Sequence, residues 1–105
     1  MYSDVPYVQL PGERVVEGAY IYGMSFCTYC ARARAFLEEE GYSVKVLLLN
    51  RLPAPRRKEL QADFARARGA EPIYPVLELN GQLYFGFDAD VWANLFADTL
   101  ARSSP

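Results

Sequence analysis

The sequence predicts a single α/β domain in which helices cover both faces of one mixed, four-stranded β-sheet. The length of 105 residues is that of one domain. Segments with strand patterns alternate with segments of helical periodicity. An Asn80-Gly81 pair between two apolar runs indicates an antiparallel hairpin near the end. The apolar fraction of 51% and charged fraction of 23% are near the globular average, so we expect a folded core.

The first half of this domain has a strand–helix–strand pattern. A buried strand is predicted at residues 19–22 and a helix over residues 28–40, with Gly41 as the left-handed residue that ends it. The apolar run of residues 44–49 is too short for a core helix. It indicates a parallel strand that is buried on both faces.

The second half adds a helix, the hairpin and a final helix. The second helix is predicted over residues 56–68, and the hairpin strands at residues 76–79 and 83–85. Asp88 is expected to cap the last helix, whose core face includes Trp92. The order β-α-β-α-β-β-α places helices on both faces of one mixed sheet.

The first eighteen residues carry a weaker pattern. Residues 1–18 are assigned as an N-terminal extension or an extra strand, and residues 19–105 as the domain. Residues 7–10 have the composition of a short strand, and Gly18 is taken as the end of the segment.

Charge and hydropathy exclude several classes of partner. A net charge of −2 argues against a nucleic-acid-binding protein, since phosphate binding normally requires a basic surface. No stretch approaches the roughly 18 apolar residues of a membrane span, and the N-terminus lacks the regions of a signal peptide. We therefore expect a cytoplasmic protein with neither nucleic-acid nor membrane partners.

The segment Cys27-Thr28-Tyr29-Cys30 lies where a strand leads through a loop into a helix. The positive end of the helix dipole favours the thiolate form of Cys27, which is the nucleophile in disulfide exchange. Cys30 lies one turn inside the helix, from which it can attack a mixed disulfide formed at Cys27. We predict that Cys27 is the catalytic nucleophile and Cys30 the resolving thiol.

Two other interpretations of the motif stay open. Zinc usually takes four ligands, and the chain has two Cys and no His, so zinc would need carboxylates or a second subunit. Two inert, buried cysteines are the other alternative, but their position at a helix start would then be a coincidence. We expect no metal.

Four segments, taken in order, resemble the glutaredoxin-like branch of the thioredoxin-fold proteins. They are residues 20–34 around the motif, residues 73–76 with the sequence Ile-Tyr-Pro-Val, residues 79–81 in the hairpin, and residues 85–88 with the sequence Phe-Gly-Phe-Asp. The resemblance implies a thioredoxin-like fold. It also implies a thiol–disulfide oxidoreductase that reduces protein or small-molecule disulfides by dithiol exchange.

The same resemblance implies the substrate-binding residues. Tyr29 would border a glutathione groove, and Pro75 would be a cis-proline beside the thiols. A proline there leaves the backbone of the preceding residue free to pair with an extended substrate. The implied substrate-binding residues are Tyr29, Tyr74, Pro75, Gly86, Phe87 and Asp88. We further expect a monomer with no bound cofactor, and the resemblance implies that it takes electrons from glutathione or from a reductase.

Two positions depart from the glutaredoxin pattern and favour a protein reductase over glutathione. Met24 stands where these proteins usually carry a cation for a glutathione carboxylate, and Phe87 replaces the second glycine of a Gly-Gly pair. Arg32, Arg66 and Arg68 are alternative sources of the missing charge.

A second function, from a different class, stays open. In an iron–sulfur cluster-binding module, Cys27 would anchor a cluster shared across a dimer and Cys30 would be dispensable. The presence of Cys30 favours disulfide exchange.

Overall fold

The computed structural model describes residues 2–103, which form one five-stranded mixed sheet covered by three α-helices. A short 3₁₀ turn follows the third strand. The elements in chain order are β1 (Val8–Gln9), β2 (Arg14–Gly23), α1 (Thr28–Glu40), β3 (Tyr42–Leu48), the 3₁₀ turn (Leu49–Arg51), α2 (Ala54–Arg68), β4 (Val76–Leu79), β5 (Gln82–Phe85) and α3 (Ala89–Ser103). The predicted fold class is confirmed.

The sheet has the strand order β1-β3-β2-β4-β5, with β2 at its centre. Strand β2 runs parallel to β3 and antiparallel to β4, and the hairpin β4–β5 follows the predicted Asn-Gly turn. The short β1 pairs antiparallel with β3, where Val8 lies opposite Val46. The N-terminal segment therefore supplies an extra strand, which is one of the two alternatives predicted for residues 1–18.

Strand β2 is longer than the sequence predicts, because it begins at Arg14 rather than at residue 19. Gly18 does not end the segment. It adopts a φ of 77° within a bulge where the register to β3 shifts between Val15 and Tyr20. Glycine takes such a conformation without strain, so it allows extra residues within a strand. The sequence pattern alone indicates instead that the strand ends at this glycine. The division of the chain at residue 18 stays a prediction.

Two apolar clusters hold the helices to opposite faces of the sheet. Helices α1 and α3 cover one face, where Leu37, Trp92 and Phe96 are almost completely buried. Helix α2 covers the other face with Leu60 and Phe64. Trp92, expected in the core, is 1% exposed.

The helix ends follow the local sequence. Helix α1 has the predicted bounds, and Gly41 ends it with a φ of 71°. Helix α2 begins at Ala54, earlier than predicted, because Pro55 fits the first helical turn. Asp88 caps α3, since its Oδ1 accepts the backbone N–H of Val91 at 3.0 Å. None of the helices in residues 2–103 is long and apolar enough to cross a membrane.

We predict that Gly12→Ala destabilises the protein by about 1–3 kcal/mol, the usual range for overpacking. A Cβ at Gly12 would lie 2.5 Å from the Gly41 carbonyl oxygen and 2.9 Å from the Tyr42 carbonyl carbon. These are backbone atoms that cannot rotate away. Urea unfolding measures the change. The control is Glu13→Ala at an exposed neighbour, for which we expect a change within about 0.5 kcal/mol. Equal stability of the two variants would show that residue 12 does not pack against the domain.

Candidate active site

The two cysteines lie where the central strand leads into α1. Strand β2 ends at Gly23, and a short loop follows before Cys27, which is the N-cap residue of α1 with a φ of −108° and a ψ of 115°. The Cys27 Sγ accepts the backbone N–H of Cys30 at 3.2 Å. A free helix N–H group and the positive end of the helix dipole therefore meet at this sulfur.

Cys30 has a different environment, although both thiols are half-buried. Burial is the main factor that raises the pKa of Cys30 to about 12, and the hydrogen bond with Cys27 adds to it. A Cβ built on Gly23 would lie 3.5 Å from the Cys30 Sγ, so this thiol faces the end of β2. At neutral pH Cys30 is a protonated thiol.

The segment of residues 73–76 lies directly against the motif. The peptide bond between Tyr74 and Pro75 is cis, and Pro75 is buried. The Cys27 thiol lies 3.9 Å from the Tyr74 carbonyl oxygen, to which it donates a weak S–H hydrogen bond. The Pro75 carbonyl oxygen in turn accepts the N–H of Gly86 at 2.8 Å. The structure thus brings three of the four resembling segments together around Cys27.

The contacts differ among the three predicted binding residues Gly86, Phe87 and Asp88. Gly86 has a φ of 85°, and its carbonyl accepts the Trp92 indole N–H at 3.2 Å. The Phe87 ring packs 5.0 Å from the Trp92 ring and 5.8 Å from the Phe36 ring, so it belongs to the core cluster under α1 and α3. Asp88 serves as the cap of α3.

An exposed apolar rim, formed by Phe26, Tyr29 and Ile73, borders the motif. Phe26 is fully exposed and has a φ of 59°, while Tyr29 and Ile73 are 54% and 46% exposed. Large apolar side chains exposed in one region often mark an interaction site. Sequence reasoning missed Phe26 and Ile73. Their signal is an apolar residue in a loop directly before a functional residue.

The three arginines named as alternative cations each have a contact of their own in the structure. Arg32 lies with its guanidinium carbon 5.3 Å from the centre of the Tyr29 ring. Arg66 forms an ion pair with Asp63, and Arg68 donates to the Glu71 carbonyl oxygen at 2.8 Å. Met24 packs against the cluster under α2. Of the three arginines named as alternative cations, Arg32 is the one that contacts a residue of the motif.

A mixed sheet with helices on both faces, a Cys-x-x-Cys pair at a helix start and a cis-proline beside it define a thioredoxin-fold protein with a dithiol site. The family model described as the N-terminal domain of glutathione S-transferase matches residues 21–86. The chain belongs to that family and is a glutaredoxin-like member of the thioredoxin-fold superfamily.

Solved structures of glutaredoxins have the same fold. Glutaredoxin grx-1 of Archaeoglobus fulgidus is 24% identical over 74% of this chain and 84% of its own, with a TM-score of 0.64. Methanoredoxin of Methanosarcina acetivorans is 17% identical over 81% of this chain and 88% of its own, with a TM-score of 0.66. The holo form of glutaredoxin C1 of Populus tremula x tremuloides is 25% identical over 78% of this chain and 85% of its own, with a TM-score of 0.64. No protein of curated function matches the sequence.

We predict that alkylation distinguishes the two thiols. Cys27 should react first with iodoacetamide at neutral pH. Cys30 should react slowly, because its pKa is raised to about 12 and a raised pKa leaves little thiolate. The alkylation rate of Cys30 should continue to rise above about pH 9. The rate of a free thiol with a pKa of about 8.5 levels off there. Mass spectrometry of the labelled peptides gives both rates. Preferential labelling of Cys30 at neutral pH would reverse the assignment.

Proposed function

We propose that the protein reduces protein or small-molecule disulfides by dithiol exchange, with Cys27 as the nucleophile and Cys30 as the resolving thiol. One observation carries this proposal. The Cys27 sulfur caps α1 through the N–H of Cys30, while burial keeps Cys30 protonated one turn inside the helix. The Cys27 sulfur therefore has a helix N–H group that can stabilise an anion, whereas Cys30 is held as the neutral thiol, and this difference favours attack by Cys27 first.

In the first step the Cys27 thiolate attacks one sulfur of the substrate disulfide. A bond forms between Cys27 and that sulfur, the substrate S–S bond breaks, and the departing sulfur leaves as a thiolate that takes a proton. The helix N–H group that stabilised the Cys27 anion remains in place, so the site is preorganised to hold an anionic sulfur again when the bond is later broken.

In the second step Cys30 attacks the Cys27 sulfur. The negative charge of Cys27 is one of the causes of the raised Cys30 pKa, and that charge is lost when the mixed disulfide forms. Cys30 therefore ionises more easily at the stage at which it must react. It forms the Cys27–Cys30 bond and releases the remaining substrate sulfur as a thiol. The substrate has then gained two electrons and the protein has lost two.

The substrate chain would lie along the segments that surround Cys27. The Tyr74 backbone, next to the buried Pro75, would pair with an extended peptide, as in strand addition. The Gly86 N–H donates to the Pro75 carbonyl oxygen. Gly86 and the nearby Asp88 would therefore lie beside the same stretch of the substrate chain. The exposed apolar rim would contact the surface of a protein substrate. This assignment supports protein disulfides as the principal substrates.

The oxidised protein must then be reduced by glutathione or by a protein reductase. Met24 supplies no charge for a glutathione carboxylate, and Arg66 and Arg68 have contacts of their own. We therefore propose that a protein reductase is the better donor and that glutathione is a weak co-substrate. The proposal includes a monomer working in a reducing compartment such as the cytoplasm.

Single cysteine substitutions test the mechanism. Cys27→Ser should abolish disulfide reduction, because no nucleophile remains at the helix start. Cys30→Ser should instead accumulate mixed disulfides with protein substrates, because nothing resolves them. Insulin reduction and non-reducing gels followed by mass spectrometry measure the two effects. Equal residual activity in both variants would contradict the roles. A brown wild-type protein that keeps its colour in Cys30→Ser would favour the cluster-binding module instead.

A cation introduced at position 24 tests the electron donor. We predict that Met24→Lys increases glutathione-dependent turnover by roughly tenfold to a hundredfold, because a charge-assisted hydrogen bond contributes about 1.5–3 kcal/mol. Met24→Leu is the matched control, since it retains the packing against the α2 cluster and adds no charge. Turnover is measured with glutathione and glutathione reductase. A wild-type rate that Met24→Lys leaves unchanged would show that another group already binds the carboxylate.

A further inference from the structure

A cavity of about 270 Å³ lies beside Cys30, and neither Tyr74 nor Gly86 lines it. It is bounded by α1, β2 and β3, by Arg51, and by Pro6 and residues 8–11 of the N-terminal segment. None of the implied substrate-binding residues lines it. The cavity is therefore separate from the site proposed above, although Cys30 lines its inner side.

The N-terminal segment is fixed in the position that closes this cavity. The Leu10 N–H donates to the Val44 carbonyl oxygen at 2.8 Å, and β1 pairs with β3. The hydroxyl groups of Tyr7 and Tyr22 are hydrogen-bonded at 2.8 Å, and Tyr22 is completely buried. The wall is thus a built part of the fold, and a four-stranded sheet without β1 would lack it.

The inside of the cavity is apolar and its open side is cationic. Val8, Ile21 and Val46 are among the side chains that form its walls, and Arg34 and Arg51 line it while remaining exposed to solvent. Arg34 has Glu38 as a partner at 3.0 Å. Within residues 2–103, the side chain of Arg51 has no hydrogen bond or ion pair. An apolar cavity with a free guanidinium at its mouth is complementary to an apolar molecule with one anionic end.

We propose that this cavity binds a small amphipathic carboxylate, with its apolar chain against Val8, Ile21 and Val46 and its carboxylate on Arg51 and Arg34. The volume is slightly below the roughly 300–1,000 Å³ of pockets for drug-sized ligands. A monocarboxylate with a chain of medium length is therefore the matching class. A Kd on the order of 1 mM is expected for a ligand of this size.

The ligand would cover Cys30 from behind. Because Cys30 lines the cavity, the bound chain reduces access to this thiol and restricts its movement toward Cys27. In the proposed function Cys30 resolves mixed disulfides, so the bound ligand would slow release of the product. This consequence rests on the proposed function. The binding itself does not depend on any redox activity.

Octanoate, used below its micelle concentration, is the probe, and the binding test is an NMR titration of the full chain. We expect saturable shifts confined to residues that line the cavity, and none with octylammonium, which carries the opposite charge. Arg51→Gln should weaken octanoate binding by roughly fivefold to tenfold, the loss of a solvent-accessible charge-assisted hydrogen bond. Arg57→Gln, outside the cavity, should leave binding unchanged.

A pair of exposed valines provides a second, matched comparison. Val8 on β1 and Val15 on β2, the two strands that flank β3, are 58% and 55% exposed, but of the two only Val8 lines the cavity. Val8→Asp should abolish octanoate binding through charge repulsion, and Val15→Asp should not change it. Both positions are on the surface, so both variants should fold, and their NMR spectra verify this.

The position of the ligand relative to Cys30 is tested in the Cys27→Ser variant. Saturating octanoate should lower the rate of Cys30 alkylation severalfold, and octylammonium should not. The proposal is overturned if octanoate gives no saturable shifts, if Val8→Asp and Val15→Asp bind it equally, or if it binds without protecting Cys30. None of these readouts requires disulfide reduction, so their failure is distinct from failure of the proposed function.

Discussion

The structure around the motif depends on one interaction, the hydrogen bond from the Cys30 N–H to the Cys27 sulfur at the start of α1. A helix leaves its first N–H groups without partners, and a serine or aspartate usually accepts one of them. Here a cysteine takes that position. The same contact caps the helix, places an anion-stabilising group at the proposed nucleophile, and sets the second thiol one turn deeper. The Cys27 sulfur and the Cys30 N–H group thus cap the helix and also act in the proposed thiol chemistry.

The surrounding fold holds the elements on either side of this contact in place. Helix α1 is held by Leu37 in the cluster it shares with α3, and the Tyr74–Pro75 segment leads directly into β4, which pairs with β2. The Gly86 N–H to Pro75 hydrogen bond then joins the loop before α3 to the same point. Three separate stretches of chain thereby converge on Cys27, and the extra strand β1 closes the molecule behind Cys30.

The sequence predicted most of this architecture because its local signals agree with the fold. Helix α1, its end at Gly41 and the Asn-Gly hairpin follow from capping and turn chemistry, which act within a few residues. The bulge at Gly18 could not be predicted, since it depends on pairing with β3. The cavity behind Cys30 could not be predicted either, because it forms from segments distant in sequence. Phe87 matches a motif position, yet whether its ring faces a ligand or the core is decided by Phe36 and Trp92.

If the helix-capping thiol is the one that is activated, the two thiols react in a fixed order. Rapid-quench mass spectrometry of the reduced wild-type protein, mixed with a small disulfide at neutral pH, measures this directly. Acid quenching in the first turnover traps the thiol that carries the substrate. We expect an adduct on Cys27, followed by the Cys27–Cys30 disulfide. An adduct that forms first on Cys30, or on both thiols equally, would contradict it.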